Sequence, residues 1–599
     1  MKTWNIGNTT VRNPYRLREA LQLFRAKMSG RPFEKAEQQE YLDELVKAGL
    51  VASKRATKET DDISLADSEL LLEDDEFAAE SSHEGDIIDF KNKPKGDDGG
   101  RKFASAFKQL GFVTNWERGE TWDMTSVGTM LIEHPELEEL IFLRQLMKYQ
   151  IPSPLEIGKR VQGFHVRPFR LLLRFLKRAR EENLIGLTKF EIALYVISVL
   201  DEDEDTTFEE AILSIKKFRA DYNAIIGKVN KNKFTKQRLV AAAAKVQLKP
   251  RSLFDYADSN GRYALITGLL TTHGNKLTLS DARLAVVEAI LADGTSLIPD
   301  EDYFKLFYEP SVPLLPTDDL TFLKGEVVNL EKRFIELATF VGEASTLPTK
   351  PASATIPELQ AYEIRLRERL RDVREIQFYR NQSSANSLDE VEDLLEDIST
   401  GTSTFFGGFD YAPAFLEWAI WRLFLAINEI IGPISKTRGF RIDEDINPIH
   451  HAKGGEADLI FTYENFKLVC EMTLTSGSRQ FIAEGEPVTR HVFKAIEASE
   501  EKPVYGLFIA KKLDPNTIDI FFKARYWKNY TSFVSTPVVA LEIAQVLKLI
   551  EKIKKQSITI IKFRELLDCI LELQNTNPHG PAWYREYSKL YDQWVNDLH

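Results

Sequence analysis

Two carboxylates stand thirteen residues apart in the stretch HHAKGGEADLIFTYENFKLVCEMTLTSGSRQFIAEGEPVTRH, residues 450–491. Asp458 opens the strand candidate EADLIFTYE (456–464), and Glu471 lies inside the next, FKLVCEMTL (466–474). A short turn at Glu464-Asn465 sets the two strands side by side, so both acids reach one sheet edge. Glu471 follows Val469 and Cys470 and precedes Met472. A carboxylate in so apolar a strand is costly unless it is paired or coordinated. Two converging carboxylates can hold Mg2+, which takes few protein carboxylates and keeps several waters. Such an ion lowers the pKa of a bound water and neutralises charge on a phosphate. The plainer reading is a strand acid satisfied by a neighbouring Arg. No His/Cys cluster supports zinc.

The surrounding residues, roughly 401–599, alternate helix and strand. YAPAFLEWAIWRLFLAINEI (411–430) is an apolar helix. RGFRIDED (438–445) and KPVYGLFIAK (502–511) join the two strands above as further strand candidates. PVTRHVFKAIEASE (487–500), VALEIAQVLKLIEKIKK (539–555) and KFRELLDCILELQ (562–574) read as helices. That order predicts an α/β fold with a mixed sheet flanked by helices. Ahead of it, residues 301–400 begin with EPSVPLLPTDD (309–319) and continue as two charged helical patterns, 320–341 and 357–382. Apolar positions recur there at three and four, so this part reads as a helical linker.

Residues 1–300 offer groups suited to phosphate and base edges. Arg12, Arg16 and Arg18 lie among Asn and Thr, the last two in the first turns of a helix after Asn13-Pro14. In 100–132 a short amphipathic helix (Arg101 to Leu110) stops at Gly111. Phe112-Val113, a polar turn, Trp122 and a helix capped at Thr125-Ser126 follow. Helix, two-stranded wing and helix make a winged-helix pattern that presents Arg101, Lys102, Ser105 and Lys108 to a groove; an ordinary small module with a polar face has the same signature. Similar units are read at 184–200 and 254–280, the latter as a helix Tyr263 to Leu270, a Gly274 turn and a strand at Leu277-Thr278-Leu279. Between them 216–251 is basic: Lys228, Lys231, Lys233, Lys236, Arg238 and Lys245 either track a phosphate backbone or form a solvated helix face.

The chain has 599 residues, enough for several cores, and is 43% hydrophobic and 11% aromatic, which excludes collagen-like, disordered and disulfide-stapled classes. Its two cysteines, Cys470 and Cys569, form no disulfide framework. The opening residues lack a signal-peptide core and no apolar run is long enough to span a membrane, so a cytoplasmic location is expected. The net charge of −13 is concentrated in residues 59–98, which carry 15 Asp/Glu and 3 Lys. This acidic segment reads as a mobile loop, with an autoinhibitory DNA mimic as the sharper alternative. The remainder is near neutral, so the acidic total does not argue against a DNA partner.

The Asp458 and Glu471 layout resembles that of PD-(D/E)xK nucleases, an Asp followed by Glu-x-Lys on the next strand, with Thr473 in place of the Lys. Several ordered motifs further resemble the AlwI family of type IIS restriction endonucleases, a group related to site-specific nicking endonucleases. They are GNTTVRNP near the start, LGF with Thr-x-x-Gly, the Thr-Gly-Leu module near 263–269, FYEPSVP, FLEW, H-x-x-G-x-x-x-D and E-x-EPVTRH. The resemblance implies a multidomain α+β and α/β protein. Its winged-helix-like region (1–300) binds a short asymmetric double-stranded DNA site, and its nuclease domain (401–599) hydrolyses a phosphodiester a few base pairs away with Mg2+. It implies that Asp458, Glu471 and Glu417 (in FLEW) bind the metal, with Glu484 and His491 as further active-site residues. His491 then positions water or contacts phosphate, and Arg490 neutralises it. The family also replaces the usual Lys. A cognate DNA methyltransferase encoded nearby is implied as well, and double-strand cleavage through a transient homodimer or a small second subunit. The rivals are a strand-specific nicking enzyme, the large subunit of a heterodimer, and a DNA-binding regulator with an inactive nuclease fold.

Overall fold

A computed structural model describes residues 3–597 except 8–10, 12–13, 49, 51, 54–86, 89–97, 115–120, 156–162, 227, 274–275, 295, 351–354, 401–411, 444–445, 451, 453–454, 500–501 and 557. Arg12, the Gly274 turn and nearly all of the acidic segment 59–98 therefore lie outside the described residues. Among the described residues no helix is long and apolar enough to cross a membrane.

Apolar side chains gather in three clusters. The first runs from Trp4 to Leu315. Helix α1 (Leu17–Lys27) buries Leu17, Ala20, Leu21 and Phe24. Helix α2 (Asp98–Gln109) ends at Gly111, whose φ of +70° only glycine adopts cheaply. Thr125 caps helix α3 (Ser126–Glu133) by accepting from Gly128 N. Between α2 and α3, among the described residues, the expected wing shows as a Val113–Met124 bridge. Thr121–Trp122 pairs with Arg31–Pro32 instead. The partner is some ninety residues away in sequence, beyond the reach of local pattern. At 187–196 a two-residue strand leads into a short α turn and a π turn. Helix α6 (Pro250–Leu265), preceded by α4 (Glu138–Lys148) and α5 (Lys228–Lys245), ends five residues before Leu270. Leu270 opens β1 (Leu270–His273), which pairs with β2 (Lys276–Leu279), so the helix read as Tyr263 to Leu270 lies too far along the chain. The apolar residues at 263–270 serve the helix and the strand in turn, which hides the boundary between them.

The second cluster is a helical hairpin, α7 (Leu320–Val341) against α8 (Ile356–Asn381). Asp319 caps α7 through Phe322 N, and Gly342 at φ +71° ends it. The hairpin is tied to the first cluster. Arg144 on α4 forks onto Asp318 (2.8 and 2.9 Å) and donates to the carbonyls of Ser311 and Pro313 (3.0 and 2.9 Å). Lys148 donates to the carbonyls of Leu306, Phe307 and Glu309. Arg367 of α8 reaches Glu139 at 2.9 Å.

The third cluster surrounds a four-stranded sheet. Its order is β3 (Leu459–Thr462), β4 (Lys467–Thr473), β5 (Val504–Ala510) and β6 (Val538–Glu542); the first pair is antiparallel and the rest parallel. It is thus a mixed sheet in a mixed α and β chain. Every residue of β5 is buried, as a central parallel strand requires. Helices α9 (Ala385–Thr400), α10 (Ala412–Ile427) and α11 (Ser478–Glu497) surround it. The sequence reading missed three features here. Residues 538–542 form a strand, not the start of a helix, because the apolar run VVALE passes into the helix Ile543–Lys555 without a breaker. Helix α11 starts nine residues before Pro487, which sits inside it. Of the strand expected over 438–445, the described residues show Arg441–Ile442, paired irregularly with Pro448–His450, and an isolated bridge from Arg438 to Leu459.

Candidate active site

The β3–β4 hairpin does what the Asp458 to Glu471 spacing requires. Leu459 pairs with Cys470, so one step further sets Asp458 opposite Glu471. The Asp458 carboxylate accepts from Met472 N at 2.8 Å. Helix α10, almost wholly apolar, buries Glu417, which accepts from Ala452 N at 2.8 Å. Helix α11 returns across the sheet, and Glu484 and His491, seven residues apart, share one of its faces. His491 Nδ1 lies 2.7 Å from Glu471 Oε1, at hydrogen-bonding distance. Its Nε2 is buried and has no hydrogen-bond partner among the described residues.

The electrostatics of this group are those of crowded acids. Burial first, and then the charge of Asp458 and Glu471, push the Glu417 carboxyl well above its ordinary range. Asp458 is raised by burial and then by Glu471 and Glu484. Glu471 is raised by burial and then by Glu484, with Arg490 opposing. His491 is held down by burial and by Arg490 and Lys494, which favours the neutral ring. Mutually repelling buried carboxylates with hard oxygen donors suit a divalent cation. Glu417, Asp458 and Glu471 are the residues that fit it. Their oxygens are less tightly gathered than those of His165, Asp201 and Asp203, whose ligand atoms lie within 4.8 Å of one another. That second group is at least half exposed at His165 and Asp203, and its contacts of 3.5 and 3.8 Å are those of surface ion pairs.

Thr473, in the place of the usual Lys, is buried, and its hydroxyl accepts from Thr475 N at 3.1 Å. Arg490 turns toward Glu486, one helical turn back, at 3.0 Å. One positioning residue escaped the sequence reading. Gln480, fully buried in the first turn of α11, donates to the carbonyls of Thr475 (2.8 Å) and Lys512 (3.0 Å) and accepts from Asp514 N (2.8 Å). It fastens the loops after β4 and β5 to the helix that carries Glu484 and His491. No local pattern marks a glutamine for such a task.

The basic candidates fall into two groups. Arg16 donates to the carbonyl of Leu50, and Arg18 approaches Glu138 at 3.7 Å, so both are tied into the fold. Arg101 and Ser105 are exposed one turn apart on α2, with Lys102 and Lys108 half-buried beside them, while Phe103 and Phe107 point inward. On α5, Lys233 and Lys236 are exposed. Lys231 lies 4.9 Å over the Tyr222 ring, and Arg238 reaches Asp221 at 3.4 Å. Lys245 at the end of α5 is exposed, and the side chain of Lys228 lies outside the described residues.

His491→Ala removes the group that orients Glu471. The expected result is a turnover rate lower by roughly 10–100-fold with little change in DNA affinity. Single-turnover cleavage at saturating enzyme measures it, and an unchanged rate would remove His491 from the site.

No curated protein matches the sequence. Solved structures similar to it include the small subunit (R.BspD6I2) of the heterodimeric restriction endonuclease R.BspD6I, at 23% identity and TM-score 0.27, over 34% of this chain and 98% of that one. The BpuJ1 endonuclease binding domain, in complex with pyrene- and phenanthrene-modified DNA, is 18% identical at TM-score 0.25, over 35% of this chain and 75% of that one. Restriction endonuclease FokI is 12% identical at TM-score 0.23, over 94% and 99%. The description "AlwI restriction endonuclease" matches residues 108–549, a span that includes all the acids above, and the chain belongs to that family of type II restriction endonucleases.

Proposed function

We propose that the chain is a type IIS enzyme: it binds a short asymmetric site in double-stranded DNA and hydrolyses a phosphodiester a few base pairs outside it. The observation that carries this reading is the buried cluster of Glu417 on α10 with Asp458 and Glu471 on β3 and β4, close enough to raise one another's pKa, with His491 beside Glu471. Residues 1–300 are the reading region, with the α2 to α3 unit as a winged-helix-like module that presents Arg101, Lys102, Ser105 and Lys108. Lys231, Lys233, Lys236 and Arg238 supply phosphate contacts, and Arg12, Arg16 and Arg18 lie at its start. Residues 301–400 join it to the nuclease domain, 401–599.

Glu417, Asp458 and Glu471 hold Mg2+. When bound, the ion lowers the pKa of a water and offsets charge on the phosphate. Glu471 fixes the His491 tautomer by accepting from Nδ1, and leaves the Nε2 lone pair to accept a hydrogen bond from water. Arg490 stands one residue away to offset phosphate charge. Glu484 adds negative potential that deepens the preference for a cation. Each chain has one such group and cuts one strand per engagement, so double-strand cleavage draws on a transient homodimer or a small second subunit. A cognate DNA methyltransferase protects the host sites.

Plasmid digestion with Mg2+, with ends mapped on each strand, tests the reading. Fixed offsets from one short motif, ended by EDTA and restored by Mg2+, are expected. Nicks on one strand alone would instead mark a nicking enzyme or a large subunit lacking its partner. Site-specific binding without cleavage would mark a regulator.

A further inference from the structure

Strand β1 is the edge of a three-stranded sheet in the first cluster: it pairs with β2 on one side only. Its other edge presents the N–H and C=O of Thr272, and such an edge must be covered. The cover comes from the third cluster, as side chains. Asp443, buried, accepts from Thr272 N (3.1 Å), Thr272 Oγ1 (3.1 Å) and Thr271 Oγ1 (2.9 Å). Asn447 Nδ2 donates to Thr272 O at 2.8 Å. Asp443 and Asn447, whose backbones close a turn on each other (Asp443 N donating to Asn447 O at 2.9 Å), thus stand in for a neighbouring strand. Beside it Arg441 lies 5.2 Å over the Tyr15 ring and 3.9 Å from Glu138.

The same turn is bound to the acidic site. Ile446 O accepts from Trp418 Nε1 at 2.8 Å, and Trp418 is the neighbour of Glu417 on α10. Five residues beyond Asn447, Ala452 N donates to Glu417 itself. Ile446 sits at φ +66°, a left-handed region that is unfavourable for a β-branched residue. Such a conformation persists only where its surroundings over-determine it. Here they do so from both sides, through Asp443 and Asn447 toward β1 and through Trp418 toward the acids.

We propose that the contact of Asp443 and Asn447 with β1 sets the distance between the DNA site that is read and the bond that is cut, with Asp443 as its positioning residue. This rests on the type IIS reading above. The turn joins the two regions by directional hydrogen bonds, not by a slippery apolar face, so it defines one register between β1 and Glu417.

The test is nucleotide-resolution mapping of cleavage ends for the full-length wild type, Asp443→Ala, and a Thr271→Val/Thr272→Val double variant that alters the opposite side of the joint. Melting curves show which variants fold; if Asp443→Ala does not, the double variant decides. The wild type is expected to cut each strand at one phosphate. The variants are expected to keep site binding and still cut, with ends spread over several adjacent phosphates. Folded variants that cut only at the wild-type position would overturn the proposal. Scattered ends from the wild type itself would overturn the type IIS reading beneath it.

Discussion

Replacing Asp458 with alanine is expected to lower DNA cleavage by on the order of 10³-fold or more, because loss of metal-borne charge stabilisation is worth several kcal/mol and each 1.36 kcal/mol is tenfold. Affinity for the recognition site should be unchanged. Asp458 is opposite Glu471 and its carboxylate accepts from Met472 N, so the substitution removes one acid from a crowded group without opening an apolar core. It also relieves repulsion on Glu417, which leaves the fold intact or slightly stabilised. Gel-shift binding alongside single-turnover cleavage separates the two effects. Residual cleavage within tenfold of wild type would remove Asp458 from the chemistry; lost binding would show that reading and cutting do not divide between the two regions.

Arg144→Ala is expected to destabilise the protein by about 3–5 kcal/mol, the usual cost of breaking a buried ion pair by removing one partner. Its guanidinium fills four acceptor positions on Asp318, Ser311 and Pro313, and both ends of the pair are largely buried. Asp318 also accepts from Leu315 N and Gln360 Nε2, so the loss propagates into the start of α7 and into α8. Arg144→Lys keeps the charge but not the planar fork, and should recover only part of the stability. Urea unfolding of the three proteins measures this, and an Arg144→Ala variant within about 1 kcal/mol of wild type, the range of an exposed pair, would show that the clamp carries no weight.

What could be read in advance divides by range. The turn at Glu464-Asn465 and the period-two strands beside it are local, so the meeting of Asp458 with Glu471 was legible. So were α7 and α8, whose apolar positions repeat every three to four residues. Glu417 had no local mark beyond being an acid on an apolar helix, and only the likeness to a known family singled it out. Asp443 and Gln480 were invisible because their partners lie 171 and 32 residues away. Arg16 and Arg18 looked like free cations for the same reason: Leu50 and Glu138 are remote in sequence. Pro487 misled in the other direction, since a proline usually ends a helix and here α11 runs through it.

Helix α8 is 26 residues long, close to 40 Å at about 1.5 Å per residue, and it engages both of its neighbours. Its first half holds Glu139 through Arg367, while further along Glu375 grips Arg438 at 2.7 Å and Phe378 stacks on Trp421. Leu388, Val391, Leu394 and Leu395 of α9 belong to the same apolar cluster as the four-stranded sheet. The proposed nuclease domain, 401–599, therefore draws part of its packing from residues ahead of it. A fragment started at residue 401 would strip the sheet of a covering helix, expose the Trp421 face and leave Arg438 without its acid. A transplantable cutter has to carry the far end of the strut with it, from upstream of Glu375.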